Sequence, residues 1–463
     1  MNSTAVIILA AGKGTRMKSE KAKVLHEVGG RPMLSYVLDR AGEIGSKKTV
    51  VVIGHQADKV KEVFSGSGVT FVEQKEQLGT GHAVMQAEKA LSRFKGDVLI
   101  LSGDVPLITS ETLRGLMDAH KKSKAILTVL TAEPEDPYGY GRIIKDSKGG
   151  IKKIVEEKDA IAKEKAVKEI NTGIYCVDSE FLLRALKMIE PKNVQKEYYF
   201  TDIVGIAVNE KKRVATYRAS DFKEVMGINS RIEQAEAECI IKIKTLENLM
   251  ASGVTIIDPS STYISPSVNI FPDTVIYPGA MISGDTVIGK GCSIGPGSII
   301  SNTRIGNCVK VKAYCVMEES EIKDEAVIGP LAHLRPQTVI EKGAHIGNFV
   351  EIKKSTIGEG SKANHLTYIG DATIGKGVNI GAGTITCNYD GFKKYQTIIE
   401  DNVFVGSDTQ LIAPVKIGKG SLIGAGTTVT EDVPADSMVL SRVKQVTSKG
   451  VAKKWKEKKK ASK

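Results

Sequence analysis

A short glycine-containing segment near the N-terminus has the residue types of a phosphate-binding loop. The apolar run Ala5–Leu9 leads into Ala10-Ala11-Gly12-Lys13-Gly14-Thr15-Arg16-Met17. Small residues and glycines directly after a strand let backbone N–H groups approach phosphate oxygens closely. Lys13, Arg16 and Lys23 add positive charge. The segment modestly favours phosphate binding over an ordinary tight turn, although it is neither a Walker A loop nor a complete dinucleotide-binding motif.

Three histidines in the C-terminal half are candidates for proton transfer. They are His333, His345 and His365, the last within Asn364-His365-Leu366-Thr367-Tyr368. An ordinary histidine pKa near 6.5 suits a general base at neutral pH. An isolated histidine is more often structural, so residue type alone assigns a role to none of the three.

The charge of the chain is concentrated in its last residues. The 463 residues carry a formal net charge of +11, and residues 442–463 contain ten Lys or Arg and one Glu, which is +9. The remaining residues therefore carry only +2. The sequence predicts a basic tail on a near-neutral body. Such a tail is usually a solvated end, and binding of phosphate or an anionic surface is the alternative.

Composition excludes several classes of protein. Hydrophobic residues make up 41% of the chain, enough for sizeable cores, yet no apolar run approaches the ~18 residues that span a bilayer. The six cysteines form no CxxC pair. We expect free thiols, a reducing compartment and a cytoplasmic location.

Residues 1–229 alternate β-branched runs with longer amphipathic stretches. Ala5–Leu9, Val50–Ile53, Val98–Leu101 and Ile126–Leu130 are predicted to be buried strands, with helices between several of them. This alternation is typical of an α/β domain with a mostly parallel sheet. Ligands of such folds bind beyond the C-terminal ends of the strands, where the glycine-containing segment falls.

A connecting helix is predicted over residues 230–250. Ser230 and Glu233 have the spacing of a capping box at its start. One helical face is marked by Ile232, Ala235, Cys239, Ile243, Leu246 and Leu249.

Residues 251–441 carry a six-residue repeat. Aliphatic residues fall at 264, 270, 276, 282, 288, 294 and 300, then at 322, 328, 334, 340, 346 and 352, and again at 399, 405, 411, 417, 423 and 429. This period is the signature of a hexapeptide-repeat parallel β-helix, with each aliphatic side chain in the core. The repeat breaks at Thr386–Thr397, which predicts a loop that either carries function or is a tolerated insertion.

The N-terminal segment resembles the signature of the sugar-1-phosphate nucleotidylyltransferases. Leu9-Ala10-Ala11-Gly12-x-Gly14-Thr15-Arg16-Met17, with Lys23, carries this resemblance. Together with the repeats, the chain from about residue 5 to Arg442 resembles the family of bifunctional N-acetylglucosamine-1-phosphate uridylyltransferases/glucosamine-1-phosphate N-acetyltransferases. The resemblance implies a Rossmann-like nucleotidylyltransferase domain over 1–229 and a left-handed parallel β-helix over 251–441, followed by the tail 442–463.

The resemblance implies two successive reactions. The β-helix would acetylate glucosamine-1-phosphate with acetyl-coenzyme A. The N-terminal domain would then transfer UMP from UTP to the product, giving UDP-N-acetylglucosamine and pyrophosphate. It further implies Mg²⁺, a homotrimer with active sites between neighbouring β-helices, and a role in bacterial cell-envelope precursor synthesis. Neither a specific nucleic acid nor a membrane span is expected.

Site residues follow from the same resemblance, position by position. UTP and UDP-sugar contacts fall on Leu9, Ala11, Gly12, Lys23, Gln74, Gly79, Thr80, Gly141, Glu156, Asn171 and Asn229. Mg²⁺ would be held by the oxygens of Asp104 and Asn229, and Arg16 and Lys23 would stabilise phosphate charge. Taken singly, Asp104 also suits a turn and Asn229 a helix cap.

The acetyltransferase residues are implied in the same way, with His365 as the general base. The amino-sugar phosphate would contact Arg335, Lys353, Tyr368, Asn379, Asn388 and Tyr389, and acetyl-coenzyme A would contact Ala382, Ser407, Ala425 and Arg442.

Two alternatives stay open from the sequence. In the first, the chain transfers only nucleotides and the β-helix is structural or regulatory. We rank this alternative second, because the sequence contains the residues expected for acetyl transfer, namely His365, Tyr368, Asn388-Tyr389 and Arg442. In the other, the chain is a non-enzymatic nucleotide-binding scaffold whose basic tail engages nucleic acid or a membrane surface.

Overall fold

The computed structural model describes residues 3–147, 149–441 and 444–462. The chain divides into two compact units, Met1–Ile241 and Lys242–Lys463.

The N-terminal unit is built on a mixed, mostly parallel sheet. Its strand order is β11-β7-β10-β6-β1-β4-β5, with β10 antiparallel to β6 and β7, and with the hairpin β8–β9 paired to β10. The strands of the unit are β1 Thr4–Ala10, β2 Glu27–Val28, β3 Arg31–Pro32, β4 Lys48–Ile53, β5 Thr70–Glu73, β6 Asp97–Ser102, β7 Leu127–Ala132, β8 Arg142–Lys145, β9 Ile151–Val155, β10 Ile170–Asp178 and β11 Val214–Arg218. Of these, β2 and β3 form a separate two-stranded sheet. Each strand predicted from the sequence is present.

Helices cover both faces of this sheet. They are α1 Met33–Glu43, α2 Ala57–Val63, α3 Thr80–Met85, α4 Glu88–Leu91, α5 Ser110–Ser123, α6 Ala162–Lys165, α7 Ser179–Leu186, α8 Asp202–Asn209 and α9 Arg231–Ala251, with 3₁₀ turns at Thr15–Met17, Lys23–Leu25 and Phe222–Val225. Side chains of β1 alternate between two cores: Val6 and Ile8 face one, and Ala5 and Ile7 face the other. Burial on both faces is why the strands of this sheet read as continuous apolar runs.

The connecting helix α9 is present, but its predicted apolar face is correct only near its C-terminal end. Ile232 is 74% exposed and Ile243 is 47% exposed, whereas the predicted Leu246 is buried, as are Ala237 and Ile241, which the prediction did not include. Ala237 and Ile241 pack in a small core of the N-terminal unit, and Leu246 packs in the core of the β-helix. A helix that serves two separate cores does not keep one apolar stripe along its length. The capping box is confirmed by reciprocal hydrogen bonds between Ser230 and Glu233.

The C-terminal unit is a parallel β-helix of hexapeptide repeats. Ile264 pairs with Ile282, and Ile282 pairs with Ile300, so one coil takes three hexapeptides. Every aliphatic position of the predicted repeat is buried. The flat faces are formed by short strands: β12 Thr255–Ile256, β13 Tyr263–Ile264, β14 Asn269–Ile270, β15 Val275–Ile276, β16 Met281–Ser283, β17 Val287–Ile288, β18 Ser293–Ile294, β19 Ile299–Ser301, β20 Arg304–Ile305, β21 Lys310–Val311, β22 Val316–Glu318, β23 Glu321–Ile322, β24 Val327–Ile328, β25 His333–Leu334, β26 Val339–Ile340, β27 His345–Lys353, β28 Thr356–Ile357, β29 Lys362–Gly370, β30 Ala372–Ile374, β31 Asn379–Ile380, β32 Ile385–Cys387, β33 Thr397–Ile399, β34 Phe404–Val405, β35 Gln410–Ile412, β36 Val415–Ile417, β37 Leu422–Ile423, β38 Thr428–Val429 and β39 Met438–Val439.

The loop that projects from the coil is shorter than the predicted insertion Thr386–Thr397. Thr386 lies within β32, and Thr397 is the first residue of β33. Both side chains are buried. The loop proper is therefore residues 388–396, because the two threonines complete core positions of their coils. After the last coil, an exposed helix α10 spans Val451–Ala461. Within the described ranges, no helix is long and apolar enough to cross a membrane.

Candidate active sites

The glycine-containing segment borders a cavity of about 300 Å³ in the N-terminal unit. The cavity lies where β1 and β6 end, as expected for a site at the carboxyl edge of parallel strands. Its lining includes every position that the sequence assigns to the base and phosphates of the nucleotide, namely Leu9, Ala11, Gly12, Lys23, Gln74, Gly79 and Thr80. Ser102 and Asp104 line it too, together with Gln77 and Glu197, which sequence reasoning did not identify.

Two glycines shape this cavity through their backbones. Gly14 has a φ of 62°, and a Cβ there would lie 2.7 Å from the Cβ of Lys23. Gly79 has a φ of 106°, and a Cβ there would lie 2.6 Å from the carbonyl oxygen of Tyr198. A side chain at either position would be strained and would collide with its neighbour, so these turns need glycine.

Lys23, Asp104 and Asn229 meet at one point of the cavity wall. The Lys23 ammonium donates to Asn229 Oδ1 at 2.6 Å and forms an ion pair with the Asp104 carboxylate. Glu233 accepts hydrogen bonds from the backbone N–H groups of Asn229 and Ser230, which fixes the turn before α9. Asn229 therefore precedes a helix cap and also contacts Lys23, which lines the cavity. The sequence presented these two roles as alternatives.

The two oxygens that contact Lys23 fit a divalent cation. A carboxylate and an amide oxygen that converge on one positive group are hard donors of the kind Mg²⁺ prefers, and Mg²⁺ fills its other positions with water and phosphate oxygens. No cluster of three or more His, Cys, Asp or Glu side chains able to hold a metal occurs in the part of the chain that the structure describes. Two protein ligands suit an ion whose remaining ligands come from water and the substrate.

The residues predicted for the sugar form a separate cluster. The Asn171 N–H donates to the Gly141 carbonyl at 2.8 Å, and a Cβ on Gly141 would lie 3.3 Å from the Glu156 carboxylate. The Thr201 hydroxyl donates a hydrogen bond to the Glu156 carboxylate at 3.2 Å. No motif in the sequence marks Thr201. Burial raises the pKa of Glu156, although the Thr201 hydrogen bond opposes that rise.

Arg16 is exposed and is not part of the cavity lining. Burial raises the pKa of Tyr140, and the charge of Arg16 works against this rise. The charges of Arg16 and Asp104 both act on Tyr140, so Arg16 lies on the side of the site where Tyr140 and Asp104 are found.

Gln74 is held by two protein acceptors. It is buried, and its Nε2 lies 3.0 Å from the Gly79 carbonyl oxygen and 3.1 Å from His82 Nδ1. With the His82 proton on Nε2, Nδ1 accepts from Gln74, so both amide protons are used within the protein and the carbonyl oxygen of Gln74 is left for a ligand. His82 was missed by sequence reasoning because it follows the glycine turn without a motif of its own.

In the β-helix, His365 on β29 pairs with Asn348 on β27. The Nδ1 of His365 lies 2.8 Å from Asn348 Oδ1. An amide oxygen only accepts hydrogen bonds, so Nδ1 carries the proton and Nε2 keeps its lone pair. His365 is exposed, and its free nitrogen can take a proton from a substrate.

Three cations lie close to one another in the β-helix. Arg335 forms a 2.8 Å ion pair with Glu351, which raises the pKa of Arg335. The charges of Lys394 and Arg335 lower the pKa of Lys353. Three cations held this close together repel one another and attract a phosphate. Lys394 belongs to the loop 388–396, so the loop contributes to this group of cations. The position of Lys394 could not be predicted from the sequence, because loop conformation has no periodic signal.

The other predicted residues of this site lie on or near the same coils. Asn388 donates to the Asp371 carboxylate at 2.7 Å, the Tyr389 hydroxyl donates to the Gly391 carbonyl, and Asn379 lies in β31.

Ala382, Ser407 and Ala425 occupy equivalent positions on successive coils. The Asp408 N–H donates to the Ala382 carbonyl, and the Gly426 N–H donates to the Ser407 carbonyl. The resulting column of small residues offers a shallow surface for an elongated ligand. Arg442 lies outside the described residues.

Comparison with known proteins decides the family. Residues 6–159 match a MobA-like NTP transferase domain, and residues 267–302 and 396–431 match bacterial transferase hexapeptide repeats. A protein of Geotalea uraniireducens called bifunctional protein GlmU is 53% identical over 461 residues, which cover 99% of this chain and all of the relative. Proteins of the same name from Geotalea daltonii and Exiguobacterium sibiricum are 53% and 51% identical over 99% and 96% of the chain, and over 100% and 99% of their own lengths. The chain belongs to the GlmU family.

Membership of the GlmU family confirms the two-reaction interpretation. The chain is a bifunctional enzyme that joins a nucleotidyltransferase domain to a hexapeptide acetyltransferase domain. It is a glucosamine-1-phosphate N-acetyltransferase and a UDP-N-acetylglucosamine diphosphorylase, and it serves cell-wall precursor synthesis. The monofunctional and the scaffold alternatives are both wrong, because the GlmU match runs through both domains.

Proposed function

We propose that the cavity around Lys23, Asp104 and Asn229 is the site of uridylyl transfer. The observation that carries this assignment is the convergence of these three side chains in a cavity lined by the predicted nucleotide residues. A phosphate oxygen of N-acetylglucosamine-1-phosphate attacks the α-phosphorus of UTP in line, and the bond to pyrophosphate breaks. Lys23 holds the triphosphate, and Arg16 contributes positive charge from outside the cavity.

Asp104 and Asn229 are the residues that would hold Mg²⁺. When bound, this ion neutralises phosphate charge. Lys23 balances the Asp104 carboxylate, so a cationic group already faces the two oxygens before substrate arrives. Glu156, Asn171 and Gly141 bind the sugar, because they offer a carboxylate and amide groups within one cluster.

Acetyl transfer is assigned to His365 and its neighbours. His365 Nε2 takes a proton from the ammonium of glucosamine-1-phosphate, and the freed amine attacks the thioester carbon of acetyl-coenzyme A. The C–N bond forms, the C–S bond breaks, and coenzyme A leaves as the thiol. Arg335, Lys353 and Lys394 bind the sugar phosphate, with Tyr368, Asn379, Asn388 and Tyr389 around it. Ala382, Ser407, Ala425 and Arg442 form the coenzyme A surface.

We assign a trimeric state to the β-helix from a strained apolar column. Tyr314, Leu331, Phe349 and Leu366 occupy the same corner of four successive coils, all with φ between 45° and 57° and all 45–63% exposed. A large residue in this conformation costs about 1–3 kcal/mol. A second copy that covers the column would offset this cost, and it would place its own side chains beside His365, which precedes Leu366. Light scattering of the purified protein tests this, and a monomeric mass would contradict it.

The domain limits and the location follow the same reasoning. We take residues 1–229 as the uridylyltransferase domain, 230–250 as the linker helix, 251–441 as the acetyltransferase domain and 442–463 as the tail. All six cysteines are free thiols, which supports a reducing, cytoplasmic location.

One coupled assay tests the two assignments together. The enzyme is given glucosamine-1-phosphate, acetyl-coenzyme A, UTP and Mg²⁺, and free thiol and pyrophosphate are followed at the same time. We expect both signals, with pyrophosphate dependent on acetyl-coenzyme A. The assay is repeated with N-acetylglucosamine-1-phosphate in place of glucosamine-1-phosphate. If pyrophosphate formed only then, and no thiol appeared in either assay, the His365 assignment would fail and the Lys23 assignment would stand.

A further inference from the structure

The C-terminal helix α10 is exposed along its whole length and differs in composition from the rest of the chain. Val451–Ala461 contains six lysines and one acidic residue, Glu457. None of its residues is buried. The helix therefore carries a net charge of +5, nearly half of the +11 of the whole chain, although it has only 11 residues. Both reactions are accounted for by residues that precede it.

One side of α10 is apolar. Val451, Ala452 and Trp455 lie within one helical turn, at spacings that place them on neighbouring positions of the surface. Trp455 is 62% exposed and Val451 is 55% exposed. The Lys459 ammonium lies 5.9 Å from the centre of the Trp455 ring, at the border between the apolar side and the charged remainder.

We propose that α10 binds the surface of a membrane that contains anionic lipid. A helix with an indole and aliphatic side chains on one side and lysines around the rest suits the interface between headgroups and acyl chains. The lysines complement the negative surface potential of anionic lipids. An 11-residue helix is too short to span the bilayer, so the contact is peripheral.

The composition of α10 fits a lipid surface better than nucleic acid. The helix has no Arg, Asn or Gln to read base edges, and it has a single aromatic residue for base stacking. Its positive charges are all lysine ammonium groups, which interact with diffuse negative charge without directional requirements.

The chain provides its own probe for this contact. Trp455 is the only tryptophan of the protein, so indole emission reports on α10 alone. Full-length protein is mixed with vesicles of phosphatidylglycerol and phosphatidylcholine, or of phosphatidylcholine alone. With phosphatidylglycerol we expect a blue shift, protection from acrylamide quenching and sedimentation with the vesicles, about tenfold more than with phosphatidylcholine alone. Salt should weaken the binding.

A charge-matched pair of variants locates the effect. Lys458→Glu, Lys459→Glu and Lys460→Glu are combined in one protein. The control combines Lys95→Glu, Lys122→Glu and Lys212→Glu, which are exposed positions in the N-terminal unit. Both proteins have the same net charge. We expect the tail variant to lose vesicle binding and the control to keep it, with unchanged circular dichroism in both.

Three results would overturn the proposal. The first is equal vesicle binding by the two variants, which would mean that net charge and not α10 is responsible. Another is no change in Trp455 emission while the protein still sediments with the vesicles. The last is a blue shift with single-stranded polynucleotide but none with phosphatidylglycerol vesicles, which would assign the helix to nucleic acid.

Discussion

Asn348 Oδ1 lies 2.8 Å from His365 Nδ1, across two adjacent strands of the β-helix. The contact sets which ring nitrogen is protonated and holds the imidazole plane. Because β27 and β29 are joined in register on both sides of the pair, the backbone fixes this geometry before any substrate binds. We therefore expect Asn348 to act as a positioning residue, through its contact with His365.

Replacing Asn348 should therefore slow acetyl transfer without removing the base. For Asn348→Ala we expect kcat to fall about tenfold, less than the 10²–10⁴-fold that a general base contributes. Asn348→Asp keeps an acceptor and should retain more activity, while its negative charge moves the acidic limb of the pH profile upward. Initial rates of thiol release across pH measure both effects. A change in KM alone would contradict the positioning role.

The two reactions should be separable by single substitutions. Asp104→Ala removes one of the two oxygens that face Lys23, and we expect uridylyl transfer to fall by at least about 10²-fold while acetyl transfer is unchanged. His365→Ala should do the reverse. Each variant is assayed for pyrophosphate from N-acetylglucosamine-1-phosphate and for thiol from glucosamine-1-phosphate. Equal loss of both activities in either variant would show that the sites are not independent.

The sequence predicted what periodicity and motifs encode. The six-residue repeat identified the core positions of the β-helix, from Ile264 to Val429, because burial at each coil depends on residues of that coil. The glycine-containing segment predicted the position of a cavity, because Gly14 and its neighbours form a local turn at a strand end. Nucleotide binding there remains our proposal.

The misses share one physical cause. Asn348, His82 and Thr201 act by contacts with residues that are distant in sequence or that carry no motif, and Lys394 depends on the conformation of a loop. The predicted face of α9 was correct only near its C-terminal end, because one helix serves two cores. Tertiary contacts of this kind leave no periodic trace in a single chain.

Lys394 should strengthen phosphate binding in the acetyltransferase site. For Lys394→Ala we expect the KM for glucosamine-1-phosphate to rise about tenfold, the loss of one charge-assisted hydrogen bond. The pKa of Lys353 should rise at the same time, because Lys394 is the largest influence that lowers it. Lys393→Ala, one position away on the same loop, is the matched control. If the control raised KM as much, the effect would belong to loop conformation.

Two adjacent glutamates should respond to pH with opposite signs. Burial raises the pKa of Glu156, so its contribution to stability falls as pH rises from the ordinary glutamate value toward the raised one. Burial also acts on Glu157, but hydrogen bonds from Lys165 and Arg142 leave its pKa lowered, so its stabilisation is present at neutral pH and lost in acid.

Substitution by glutamine tests this difference. At pH 7 we expect Glu156→Gln to raise the Tm of the N-terminal unit by roughly 2–4 °C, which corresponds to about 1 kcal/mol in the free energy of unfolding. Glu157→Gln should lower the Tm. The Glu156→Gln advantage should disappear below about pH 4, where the unfolded chain is also protonated. Thermal melts from about pH 3 to pH 8 measure both effects. Shifts of the same sign for the two variants would contradict the burial argument.

His82 should support discrimination between uracil and cytosine by holding Gln74. With both amide protons of Gln74 engaged by Gly79 and His82, its carbonyl oxygen is the group left to meet the base. Uracil offers a proton at N3, whereas cytosine offers a lone pair there and would be repelled. Loss of one anchor lets the amide rotate and present its NH₂ group instead, which weakens the preference without touching the phosphate contacts.

For His82→Leu we therefore expect the ratio of kcat/KM for UTP to that for CTP to fall about tenfold, the value of one hydrogen bond near 1.4 kcal/mol. His82→Asn, which offers an oxygen to the same Gln74 proton, should restore part of the ratio. Pyrophosphate release with each nucleotide gives both constants. A variant that lost activity equally with UTP and CTP would show that His82 only supports the fold of α3, because a rotated Gln74 changes the choice of base and not the transfer itself.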